Sequence, residues 1–156
     1  MKLSLENLAK LPAGVHGPSY DRADMSAGIV HIGLGNFHRA HQAWYLHQLM
    51  DQGLALEWAI LGAGVRPADA KQREKILAQD CLTTLIELDP SGKSAEVIGS
   101  MIGYIPVATD NAPLIAHMAE ASIKIVALTV TEGGYYIDSA TNEFDLNHLD
   151  IQHDAA

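Results

Sequence analysis

The segment Ile29-Val30-His31-Ile32-Gly33-Leu34-Gly35 constrains this chain more than any other. A short β-branched run stops on a glycine, and helical periodicity follows almost at once. Gly28–Gly33 reads as a strand. Phe37–Gly53 reads as a helix, because Ala43, Leu46 and Met50 recur at i, i+3 and i+7 and Gly53 supplies a stop. Between them, Gly33 permits a tight turn. Gly35 lets backbone approach a pyrophosphate with no Cβ in the way, and helix N-terminal N–H groups then face the anion. The third glycine of the G-x-G-x-x-G pattern is missing, and His38 stands in its place. Nucleotide binding and an ordinary turn both fit these residues.

The rest of the chain continues the alternation. Residues 1–28 read as an irregular lead-in broken by Pro12-Ala13-Gly14 and Gly17-Pro18. Trp58–Gly62 is a second short strand, and Pro67–Gln79 a second helix with Pro67 at its first turn. Leu82–Leu88 and Ala95–Ser100 are extended, and Asp89-Pro90-Ser91-Gly92 turns between them, which gives an inserted β-hairpin. Asn111–Ala121 reads as a helix with Asp110 as N-cap. Ile123–Val130 is apolar apart from Lys124 and has the pattern of a central parallel strand buried on both faces. The expected fold is α/β: a Rossmann-like, doubly wound, mostly parallel sheet with an inserted hairpin.

Composition removes several classes of function. Nineteen acidic residues against ten basic ones leave a formal net charge of -9. That field repels phosphate backbones and anionic lipid, so neither nucleic acid nor membrane is an expected partner. No apolar run approaches the ~20 residues of a membrane span. The one cysteine, Cys81, permits no internal disulfide, which fits a reducing cytoplasm. Beside the apolar run Leu82–Leu88 it reads as a semi-buried packing residue rather than a catalytic thiol.

In a doubly wound sheet, ligands bind beyond the carboxyl ends of the strands. The loops to inspect are therefore Gly33–Arg39, Gly64–Asp69 and Thr131–Gly134. A ribose needs a carboxylate near the end of the second strand. Glu57 lies at that strand's beginning and Asp51 late in a helix, so Asp69 is the candidate. A first-turn helix acid, favoured by the macrodipole, is the competing reading of Asp69. Arg66 suits an NADP 2′-phosphate or the adenine face. The second G-x-G, Gly62-Ala63-Gly64, would border the adenosine. His38 and Arg39 read as facing phosphate or substrate, or as packing and surface residues. His38 and His41 share a helix face, but His47 cannot complete a ligand set with them, so no metal is expected. Glu132 suits contact with nicotinamide, substrate or a proton path, or merely opens the Gly133-Gly134 turn.

At these loops the sequence resembles a known family. Ile29–Gln42, with Phe37-His38-Arg39-Ala40-His41 where a third glycine is usual, is similar to the nucleotide loop of the polyol-specific long-chain dehydrogenases. That group includes the mannitol-type and fructuronate-type oxidoreductases. Leu128-Thr129-Val130-Thr131-Glu132-Gly133-Gly134-Tyr135, Ile60–Asp69 and Asp80-Cys81-Leu82 resemble further segments of it, and Gly62-Ala63-Gly64-Val65 lies nearer the mannitol branch. The resemblance implies a zinc-independent oxidoreductase that moves a hydride between nicotinamide and a polyol carbon, giving a ketose. It implies Ile32, Gly33, Leu34, Gly35, Asn36, Phe37, His38, Arg39, Arg66, Asp69, Thr131 and Glu132 as cofactor contacts. It also implies a catalytic lysine in a later helical domain absent here. Lys71, Lys75, Lys93 and Lys124 match no part of that motif, so no catalytic residue is expected in this chain. Residues 1–28 would be a lead-in and 29–156 the NAD(P)-binding domain. Ala68, where some relatives carry a second acid, implies NAD preferred with secondary NADP use.

The competing classes are a non-catalytic dinucleotide-binding module or inactive fragment, and a methyltransferase. The last fits poorly, because His31 and Ile32 precede the loop where an acid is common.

Overall fold

The computed structural model describes residues 2–66, 69–106, 110–130 and 132–156, with backbone alone at 132 and 133. Pro67 and Thr131, to which the sequence assigns a helix start and a cofactor contact, lie outside the described residues.

Seven strands form two sheets. The larger is four-stranded and wholly parallel, built from β2 (Ala27–Ile32), β3 (Ala59–Ala63), β6 (Met101–Tyr104) and β7 (Ile125–Leu128), in the order β6-β3-β2-β7. The smaller joins β1 (Val15–His16), β5 (Gly92–Ile98) and β4 (Thr83–Asp89). Strand order reverses beside β2: the chain moves from β2 out to β3 and β6, then returns across β2 to β7. The loop after β2 therefore opens at the topological switch point.

Alternation along β2 divides the core. Ile29 and His31 face one side, where α2 (Gln42–Met50), α3 (Asp69–Leu77) and the hairpin pack around Ile60, Ile76, Ile98 and Met101. Val30 and Ile32 face the other, against Leu114 and Met118 of α4 (Ala112–Met118). Each buried aliphatic side chain contributes roughly 1.5–3 kcal/mol relative to exposure.

The hairpin appears where expected, with Asp89 opposite Gly92. The N-cap of α4 is Asn111 rather than the expected Asp110, and it makes no side-chain cap bond; Asp110 Oδ1 accepts from the Ala112 N–H at 2.9 Å from one position earlier. Four further expectations need correction. The helix expected over Phe37–Gly53 is two: α1 (Asn36–Ala40) and α2, broken at His41, whose φ is -120° and ψ -82°. The His41 Nδ1 lies 2.8 Å from the Phe37 carbonyl, which also accepts the His41 N–H at 3.1 Å, and the His41 ring stacks on Phe37. α2 then ends as the spacing predicts: Gly53 N–H donates to Met50 and Leu54 N–H to Leu49, the paired bonds of a Schellman closure.

The second correction is β6, which carries no strand assignment in the sequence reading. Only Gly99-Ser100 separates it from β5, so the chain leaves the hairpin and joins the main sheet without a turn signal. Third, β7 is parallel as expected and pairs with β2, but it is an edge strand and not a central one, with Ile125, Val126 and Leu128 exposed. Within the described residues nothing covers it. Fourth, the lead-in is not wholly irregular: Leu5–Lys10 and Arg22–Asp24 are 3-10 turns, and β1 pairs parallel with β5. Arg22 ties this segment down by donating to the carbonyls of Gly99, Asp80 and Met101.

Candidate functional site: the loops beyond the parallel strands

The loop after β2 is built by one buried side chain and two exposed glycines. Leu34 points into the core, where it occupies the space a side chain at Gly62 would need. This pins the loop to β3. Gly33 has φ of +87°, a left-handed conformation costly for residues with a Cβ. Its N–H extends the ladder to Ala63 at 3.0 Å, and Gly35 N–H folds back on the Gly33 carbonyl at 2.8 Å. Gly35 has φ of -74°, which any residue adopts, and a Cβ there would meet nothing within 4 Å. The protein itself makes no demand for glycine at 35. The absent side chain leaves bare backbone facing an open space, which is the cradle a pyrophosphate requires. Asn36 and Arg39 border it, joined by a bond from Arg39 Nη2 to Asn36 Oδ1. Phe37 is 65% exposed at the rim.

His38 turns the other way. It is 1% exposed, stacks on His31 with ring centroids 3.5 Å apart, and has its Nδ1 3.0 Å from Gln42 Oε1. Its imidazole does not reach the open side of the glycine loop, so the expectation that it faces phosphate is corrected. His31 is also buried, with Nε2 3.2 Å from Thr129 Oγ1 at the end of β7. Burial, reinforced by His31, pushes the His38 pKa down to about 3, and burial also lowers that of His31. Both rings are thus neutral at pH 7. They line an open groove of about 530 Å³ between α1–α2 and β7, whose other walls include Ile29, Phe37, Tyr45 and Ile125. The sequence reading missed this pair; the inward register of His31 beside Ile29 was its one legible sign.

Asp69 begins α3 and holds the second loop. Its Oδ2 accepts from the Val65 and Arg66 N–H groups at 3.0 and 2.9 Å. Gly64 is obligatory for this, since a Cβ there would collide with the Asp69 side chain. Asp69 therefore fulfils the helix-start reading with one oxygen. Among the described residues no hydrogen bond engages Oδ1. Arg66 is exposed.

Glu132–Tyr135 forms a 3-10 turn beyond β7. The three loops after β2, β3 and β7 therefore open on one end of the sheet, as the sequence predicts. Lys93 is the second residue of β5, opposite Leu88, and Lys124 precedes β7 at its amino end, bonded to the Ala121 carbonyl. Cys81 is buried, and burial pushes its thiol pKa up, which suits packing rather than nucleophilic work. Among the described residues no helix is long and apolar enough to cross a membrane.

A parallel sheet of order β6-β3-β2-β7, with a glycine turn at its switch point, defines a Rossmann-type domain. The chain belongs to the mannitol dehydrogenase family: residues 27–153 match the model of the mannitol dehydrogenase Rossmann domain. It is 60% identical over 139 residues to a mannitol 2-dehydrogenase of Cereibacter sphaeroides, covering 89% of this chain and 29% of that protein. It is 41% identical to a polyol:NADP oxidoreductase of Gluconobacter oxydans, covering 97% of this chain and 32% of the relative. Its structure superimposes with a TM-score of 0.85 on Pseudomonas fluorescens mannitol 2-dehydrogenase, solved as a ternary complex with NAD and D-mannitol. That match has 45% identity and covers 99% of this chain and 32% of the other. The chain therefore spans under a third of the length of these three relatives.

Proposed function

We propose that this chain is the NAD-binding portion of a polyol dehydrogenase that interconverts a mannitol-like sugar alcohol and a ketose. The observation that carries the reading is Gly35, a glycine that the chain's own packing does not require, set at the switch point above a turn pinned by Leu34. A nicotinamide cofactor held here would supply hydride transfer to and from the carbinol carbon of the polyol. Bare backbone at Gly33 and Gly35, with Ile32, Leu34 and Asn36 shaping the turn, receives the pyrophosphate. Arg39 and Phe37 border it. Asp69 Oδ1 accepts from a ribose hydroxyl while Oδ2 holds the turn, and Arg66 flanks the adenine. Thr131 and Glu132 take the nicotinamide side. His38 supports this loop from beneath, through its stack on His31.

NAD is the preferred cofactor and NADP a secondary one, because Asp69 is preceded by Ala68 rather than a second acid. The name of the Gluconobacter relative supports including NADP. Residues 29–156 form the cofactor unit, residues 1–28 its lead-in, and the general base comes from a helical domain beyond these 156 residues. A cytoplasmic setting suits the single buried thiol. Fructuronate or mannonate is the alternative substrate pair.

A second reading, an inactive nucleotide-binding fragment, is favoured by the exposure of β7. Titrating the chain with NADH by fluorescence, then adding NAD and mannitol and following absorbance at 340 nm, tests both parts. The expected result is saturable NADH binding without turnover. Absence of binding overturns the cofactor assignment, and turnover overturns the assignment of the base to another domain.

A further inference from the structure

Away from the nucleotide loops, α2 and β5 bring three metal-ligating atoms together. His47 is fully buried on α2, and its Nε2 has no hydrogen-bond partner. That nitrogen lies 3.4 Å from Asp51 Oδ2, one turn further along α2, and 3.5 Å from Glu96 Oε1 on β5. All three atoms fall within 4.8 Å of one another. The separations are long for N–H···O bonds, which centre near 2.9–3.0 Å. They match the edge of a coordination tetrahedron: two bonds of about 2.0–2.1 Å from a common ion place their ligand atoms roughly 3.3–3.4 Å apart. We propose that His47 Nε2, Asp51 Oδ2 and Glu96 Oε1 bind one divalent cation of the zinc class, as a structural site apart from the nucleotide loops.

The surroundings are those such a site needs. Ligating groups are normally fixed by outer hydrogen bonds. Tyr20 Oη lies 2.7 Å from His47 Nδ1 and fixes the ring's orientation; in the tautomer with the proton on Nδ1, the Nε2 lone pair faces the two carboxylates. Ser19 N–H and Oγ–H both donate to Asp51 Oδ1 at 2.9 Å, turning Oδ2 toward the imidazole. Trp44 Nε1–H donates to Glu96 Oε2 at 2.8 Å, and Gln48 Nε2–H reaches both Glu96 oxygens at 3.0 Å. Two carboxylates cancel the charge of a divalent ion, and imidazole with carboxylate is a donor set that zinc and cobalt accept. The side chains of Asp51 and Glu96 are 25% and 26% exposed, so an ion enters from solvent on one side, where water completes the shell. An ion here would clamp α2, β5 and the lead-in at one point.

The test is titration of the metal-free chain with Co²⁺, read by its visible ligand-field bands, followed by displacement with Zn²⁺. One equivalent should bind with the intense bands of a low-coordinate site. Saturating Zn²⁺ at ~100 times Kd should raise Tm by about 5–10 °C. Glu96→Gln and Asp51→Asn should each weaken Co²⁺ binding at least about tenfold, and two separate variants guard against one failing to fold. His148→Ala/His153→Ala should bind as the unsubstituted chain does. No saturable binding up to millimolar Co²⁺, or binding that both carboxylate variants leave intact, would overturn the site and make the cluster a contact between a buried imidazole and two carboxylates.

Discussion

β2 and β7 lie side by side, run parallel, and are both apolar, yet one is enclosed and the other is bare. Val30 stands opposite Val126 in the pairing register, the same residue type in the same row. Val30 is 0% exposed and Val126 45%. Val30 is covered by Leu114 of α4 and flanked by β3 and β7; Val126 has a neighbour strand on one side alone. The difference teaches that an apolar run records the burial its strand is suited to, whereas enclosure depends on which elements arrive to cover it. β7 has the composition of an interior strand and, within these residues, the position of an edge.

The sharpest way to break this comparison is to substitute register partners. Val30→Ala should cost about 1.5–3 kcal/mol, and Val126→Ala about 0.5 kcal/mol or less, as measured by urea unfolding of the chain. Equal losses would mean that β7 is enclosed in solution, by self-association or otherwise, and sedimentation at several concentrations would then reveal the partner.

The histidine stack spans the same boundary, since His31 bonds to Thr129 at the end of β7. Its folded-state pKa values lie below the ordinary 6.5, with His38 at about 3. The unfolded chain therefore binds protons that the folded chain excludes. Stability attached to these rings is complete above pH 6.5 and is lost as pH falls below it, continuing toward 3. For each ring the slope reaches up to about 1.4 kcal/mol per pH unit. Unfolding measured at pH 7, 6 and 5 should show this decline, and His38→Gln should flatten it. A slope unchanged by that substitution would assign the decline to other groups.

A smaller effect concerns the second loop. Asp69→Asn keeps an amide oxygen for the Val65 and Arg66 N–H groups but removes the charge offered to a ribose. NADH affinity should fall about tenfold, in line with ~1.5–3 kcal/mol for hydrogen bonds to charged groups, with NADPH affinity little changed. Asp69→Ala should weaken both cofactors, because the turn itself is lost. Equal losses in Asp69→Asn would reduce Asp69 to a helix-start acid.

Much of this arrangement was legible in residue order. Local signals announced β2, β3, the hairpin and α4, because each has its own periodicity and a nearby turn residue such as Gly33 or Gly92. The three loops at the sheet's carboxyl end followed from alternation and from the rule for where such sheets bind ligands. What stayed hidden depends on long-range packing. β6 follows the hairpin after two residues and owes its identity to pairing with β3. The break at His41 lies inside a stretch whose apolar spacing is helical throughout, and no Gly or Pro marks it. His38 stood in the place of a loop glycine, and its inward turn became visible only with its partner His31. His47 and Asp51 share a helix face by spacing, but Glu96 reaches them through hairpin register that no local pattern encodes.

The central claim rests on Gly35, and one pair of titrations tests it most directly. The backbone there tolerates a side chain, and among the described residues nothing occupies its Cβ position. Gly35→Val should therefore leave Tm within about 2 °C of the unsubstituted chain, consistent with a surface substitution, while weakening NADH binding at least tenfold in a fluorescence titration. NADH binding with equal affinity in both proteins would contradict the account, because the open space above the loop would then not be where the pyrophosphate lies.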